Sequence, residues 1–183
     1  MNRLTLPHLI ARQQGAALLT GLIFMVILTL LGVTAARMAG LEERMSGNMR
    51  DRALAMQAAE ATLRNAEQDI LNSGRISGLT NFLDTCVNGL CYNGPQGISN
   101  GTDWNANPVW GLVSMTAAPS VQYGQFFAAP VTLDGLSAQP RYLIEGIRKT
   151  PPGGEEAFYY RITVRAQGAN PNTVIWLQEV FKL

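Results

Sequence analysis

Hydrophobic and polar positions follow three regimes along this chain. From Ala16 to Ala36 there are 21 residues without a charge. A helix of ~20 such residues, rising 1.5 Å each, spans a bilayer core of about 30 Å, and in hydrocarbon only a helix satisfies its own backbone. Beyond the run, Met38, Leu41, Met45, Met49, Ala53, Met56, Ala59, Leu63, Ala66 and Ile70 recur at steps of three or four. That spacing puts them on one helical face. The pattern predicts one helix from about Ala16 to about Leu71, half in lipid and half in water, stopped by Asn72, Ser73 and Gly74. From Arg141 the period changes to two. Tyr160, Ile162 and Val164 alternate with Arg161, Thr163 and Arg165, as on a half-buried sheet.

Three strands are expected: Arg141 to Arg148, Phe158 to Arg165 and Thr173 to Phe181. Turns at Pro151 to Gly154 and Gly168 to Asn172 join them, giving an antiparallel meander whose apolar face covers the wet half of the helix. The fold class expected is therefore α+β, a long N-terminal helix packed on a C-terminal antiparallel sheet. Residues 73–139, rich in Gly, Asn, Pro and Ser, form a long region between them, with Val109 to Val113 and Gln125 to Ala128 as candidate strands. Long connections tend to carry function. Partner recognition is expected there, with Trp104, Trp110, Tyr123 and Phe126 as contact anchors, at least two of which fill the core instead.

The order of the first two segments is informative. A secretory signal places its cleavage site after a short apolar run, whereas here a polar leader, Met1 to Gly15, precedes a run that spans the membrane. This points to a processed anchor that stays on the mature chain, against the simpler reading of an uncleaved signal anchor. Gly15 suits a cut because a residue with no side chain lets a peptidase approach the backbone. The domains expected are 1–15, 16–36, 37–71 and 72–183. Arg37, Arg44, Arg50 and Arg52 outnumber Arg3 and Arg12, so counting charges favours the wrong side; long domains translocate largely regardless of charge. The C-terminal domain is therefore placed outside the cytoplasm.

Gly32, Ala36 and Gly40 form a small-residue ridge at four-residue spacing, a place for helix packing or, with Gly47, for the helix to loosen. Net charge is +1, which gives no electrostatic case for a nucleic-acid partner. The cysteines, Cys86 and Cys91, either close a small disulfide loop in an oxidising compartment or stay as buried thiols; a zinc site wants more ligands. The one histidine, His8, lies in the leader. Asp103 to Asn107 starts like a calcium loop, but Pro108 stands where glycine belongs and Ser114 where the closing glutamate belongs. No metal, no cofactor and no enzyme activity is expected.

The segment Gln13 to Leu19, the uninterrupted span and the continuation Leu41 to Arg52 resemble the N-terminal region of type IV pilins. With Gln57 to Arg64, the match is closest to the minor pilins of the PilX family. The resemblance covers about the first 70 residues. It implies that a prepilin peptidase cuts between Gly15 and Ala16, that Ala16 is N-methylated, and that the chain waits in the bacterial inner membrane before entering a fibre. It further implies partners: other minor pilins, the major pilin, the pilus assembly machinery and a tip-associated adhesin. Major pilins have glutamate as the fifth residue after the cut, and this chain has Thr20. A carboxylate there meets a neighbour's α-amine, cationic below a pKa of about 8; an unpaired charge in an apolar bundle costs several kcal/mol. A hydroxyl cannot neutralise it. A subunit with Thr20 fits best at the tip, where no earlier subunit needs the carboxylate. The alternatives are a tip-type minor pseudopilin of a type II secretion system, disfavoured by residues 41–64, and a single-pass periplasmic receptor or adhesin that never polymerises.

Overall fold

A computed structural model describes residues 16–93, 109–127, 131–149 and 156–182. Helix α1 runs continuously over Ala16–Asn72. It ends as the sequence predicts: the Ser73 hydroxyl donates to the Asp69 carbonyl at 2.5 Å, and Gly74 takes φ +70°, a left-handed conformation natural to glycine after a helix. The strands are β1 (Leu90–Tyr92), β2 (Val121–Gln122), β3 (Arg141–Lys149), β4 (Ala157–Gln167) and β5 (Val174–Lys182). The chain divides into two compact units, Met1–Gly47 and Asn48–Leu183.

In the first unit, the described helix is exposed throughout. It is long and apolar enough to cross a membrane.

The second unit holds the sheet, in the order β1-β3-β4-β5, with β2 also on β3. The meander β3–β4–β5 is antiparallel, and its strands lie within a residue or two of their predicted bounds. The sheet as a whole is mixed, because β1 pairs in parallel with β3, Leu90 opposite Ile144. Three residues have no usable periodicity, so this strand was invisible in the sequence. Of the other candidate strands, Val109–Gly111 is a 3₁₀ turn, and Gln125 to Phe127 lies in turns following β2, with Ala128 outside the described residues. Isolated runs of three or four apolar residues read alike as turn, helix or strand.

Two apolar clusters face away from each other across the sheet. Ala58, Ala59, Ala66 and Ile70 of α1 pack with Tyr142, Ile144, Tyr160, Ile162 and Val164. On the opposite face, Cys86, Cys91, Val109 and Met115 cover Leu143. Within α1 the buried stripe is Ala55, Ala58, Ala59, Thr62, Asn65, Ala66, Asp69 and Ile70. Ala53 and Met56, expected on that face, are exposed, as are Met38, Leu41, Met45 and Met49. The stripe is one step round the helix from the most apolar one because three polar side chains share it.

Candidate functional site: an exposed helix and the clamps that hold its sheet

The N-terminal half of α1 is a continuous exposed apolar surface: Leu22, Phe24, Leu28 and Leu31 are each 60 % or more exposed. Its hydroxyls are spent internally. Thr20 Oγ1 lies 3.0 Å from the carbonyls of both Ala16 and Ala17, Thr29 donates to Val26 at 2.8 Å, and Thr34 lies 2.9 Å from Leu30 and Leu31. Such back-bonding lets a hydroxyl sit in hydrocarbon. It also means that Thr20 offers its proton to its own helix and leaves no charge for a neighbour. A side chain added at Gly32 or Gly40 would meet nothing within 4 Å, and Ala36 is exposed like them. The ridge is open in the single chain. Gly15 and the rest of the leader lie outside the described residues, as do Asp103 to Pro108 with Trp104.

The wet half of α1 is fixed to its sheet by polar side chains that sequence periodicity did not single out. Asp51 Oδ1 accepts the amides of Ala169 at 2.7 Å and Asn170 at 3.2 Å, holding the β4–β5 turn. A Cβ on Gly168 would come within 2.7 Å of the Asp51 Cγ, so only glycine admits this approach. The Thr173 hydroxyl first, and then these amides, hold the Asp51 carboxyl below its ordinary range. Asn65 Oδ1 accepts Gly124 N at 2.9 Å. Asp69, buried, accepts Arg75 Nε at 2.7 Å and the Tyr142 hydroxyl at 2.7 Å, and pairs with Arg75 Nη2. Burial, and then the Asp69 charge, raise the Tyr142 phenol far above its usual range, so it stays a donor. Thr62, Asn65 and Asp69 follow at i, i+3, i+7 from one another with the buried alanines beside them; reading that helical row irrespective of polarity would have found them.

The far face carries a second node. Glu145, fully buried, accepts Arg161 Nε at 2.6 Å and Nη2 at 2.5 Å, Asn93 Nδ2 at 3.0 Å and Val109 N at 3.0 Å. Cys86 and Cys91 are disulfide-bonded, and Cys86 and Asn88 have φ of 58° and 51°, a tight loop that the bond closes beside β1. Trp110 packs against Trp176 with ring centroids 5.1 Å apart and planes tilted by 46° and is half-buried with Tyr123, whereas Phe126 is more exposed and lies under the Arg75 guanidinium at 4.0 Å. Among the described residues no three His, Cys, Asp or Glu side chains gather as a metal site.

An exposed apolar helix leading into an amphipathic half that is clamped to a sheet defines a pilin-like subunit. Residues 14–64 match the family model for the PilX N-terminal region, and residues 87–183 match that for the C-terminal part of the type IV pilus assembly protein PilX. The chain belongs to the PilX family and is a minor pilin of the type IV pilus, a structural component of the fibre system. Neither the curated proteins nor the solved structures give a significant match.

Proposed function

We propose that this minor pilin primes or caps pilus assembly as a member of a tip complex. Prepilin peptidase removes residues 1–15 by cutting after Gly15, Ala16 becomes the N-methylated mature terminus, and residues 16–36 serve first as an inner-membrane anchor and then as a packing rod. Residues 37–71 continue the rod, and residues 72–183 complete the periplasmic domain. The observation that carries the tip assignment is Thr20, whose hydroxyl is turned onto Ala16 and Ala17. With no carboxylate at the fifth mature position, the subunit leaves an older neighbour's ammonium unpaired, a cost of several kcal/mol in an apolar bundle. At the tip there is no older neighbour. Its own Ala16 amine is met by the glutamate of the next subunit added. Gly32, Ala36 and Gly40 give the ridge on which that subunit's helix lies close. Other minor pilins, the major pilin, the assembly machinery and a tip adhesin are the partners this reading requires; no enzymatic step belongs to it.

Mass spectrometry of the mature N-terminus and immunogold labelling of sheared pili test it. The expected results are a methylated Ala16, a retained leader after Gly15→Trp, and label at fibre ends. A Thr20→Glu variant should spread label into the fibre body. Even labelling of the native subunit along the fibre would overturn the tip assignment, and an intact Met1 on the mature chain would overturn the processing.

A further inference from the structure

The two edges of the sheet are treated differently. The outer edge of β3 is covered by β1 and β2, whereas among the described residues β5 ends the sheet and pairs only with β4, nine residues in unbroken register from Val174 opposite Gln167 to Lys182 opposite Tyr159. Natural edges are blunted by shortness, bulges, proline or inward charge. Of these devices β5 carries an inward charge, Glu179 on its α1 face, and a lysine at its end, Lys182; it is nonetheless long and without proline, and no bulge interrupts its pairing. Such an edge presents a row of backbone donors and acceptors ready to pair.

The side chains beside that edge have a definite chemistry. On the face away from α1, β5 displays Trp176 and Val180, 42 % and 45 % exposed, with Gln178 between them. Cations flank this apolar centre: Arg165 lies over the Trp176 ring at 5.9 Å, and Lys182 and Lys149 lie 5.8 and 5.9 Å from the Tyr159 ring. Across the described strands the one carboxylate on this face is Glu145, buried and paired with Arg161. The face is apolar in the middle and positive at both ends.

A second copy does not suit this edge. It would set the cations at the two ends of its own face against these, in parallel as in antiparallel register, so like charges oppose self-pairing. We infer that the β5 edge receives an extended segment of a different protein, apolar at its centre and carboxylate-bearing at its ends, which adds a strand to the sheet.

The test uses the full-length chain in detergent micelles and three ten-residue peptides. The first has glutamates at both ends around alternating valine and threonine; the second replaces those glutamates with lysines; the third is the acidic peptide N-methylated at alternate residues. Tryptophan fluorescence reads binding, and amide hydrogen exchange reads residues 174–182. The acidic peptide should bind and slow β5 exchange about tenfold, with the lysine and methylated peptides about tenfold weaker. Val180→Lys should weaken the acidic peptide by a similar factor, and Lys182→Glu, an exposed and fold-neutral change, should reduce or invert the acidic preference. Equal binding of acidic and lysine peptides would overturn the inference. So would β5 amides already protected throughout in the unbound chain, or a dimer crosslinked through Gln178→Cys. None of these readouts depends on cleavage at Gly15, so failure here leaves the assembly reading intact, and an uncut leader leaves the peptide result intact.

Discussion

Arg161→Met should destabilise the globular unit by about 3–5 kcal/mol, the range for removing one partner of a buried ion pair. Glu145 is 0 % exposed and the Arg161 side chain 6 %, so no water replaces the lost guanidinium. Among the described residues, what remains around the carboxylate are Asn93 Nδ2 and Val109 N, each at 3.0 Å; two neutral hydrogen bonds do not offset a buried charge. The exposed pair Arg148–Glu156, 3.3 Å apart, gives the internal control: Arg148→Met should change stability by less than about 1 kcal/mol. The double variant Arg161→Met/Glu145→Gln should recover about half of the loss or more, because the amide oxygen still accepts from Asn93 and Val109 while the charge is gone. Thermal unfolding of the full-length chain in detergent, followed by tryptophan fluorescence, is a suitable assay, since Trp110 adjoins Val109 and packs against Trp176. At roughly 3–5 °C per kcal/mol for a unit of this size, Arg161→Met should lower Tm by about 9–25 °C. A loss under about 1 kcal/mol, or a double variant no more stable than Arg161→Met alone, would refute the reasoning.

Two carboxyls shape the acid response with opposite signs. The Asp51 pKa is lowered in the fold, so its contribution is present above the unfolded value and lost as pH falls through the folded one; Asp51→Asn should flatten the acid limb of a stability-against-pH curve. The Glu179 pKa is raised, by burial and then by the Glu67 charge, so stability present below about 4.5 is lost as pH rises through the folded value; Glu179→Gln should leave the chain more stable at pH 7 than the native one, measured by urea midpoint. Tyr142→Phe removes a bond to the buried Asp69 charge and should cost about 1.5–3 kcal/mol in the same titration. Gly168→Ala drives a methyl into Asp51 and should cost about 1–3 kcal/mol, with faster amide exchange at Ala169 and Asn170 as its local sign.

What the sequence determined by itself is what a local period can encode. A charge-free run of bilayer length, a 3.6-residue repeat ending at Asn72–Gly74 and a two-residue alternation around Ile162 place α1 and β3 to β5, and the residues around Leu41 to Arg64 carry the family. Tertiary structure alone decided which row of the wet helix is buried. Thr62, Asn65 and Asp69 displace Met56 from the interior because their partners, the Ala58 carbonyl, Gly124 and Arg75 with Tyr142, satisfy them there, and two of those three rows of contacts come from outside the helix. The same holds for β1, too short to show a period, and for Glu145 and Arg161, which read as ordinary polar positions of two strands until cross-strand pairing sets them opposite each other. A period fixes an element and its faces; which face is covered, and by what, depends on hydrogen-bonding partners that only the folded chain brings together.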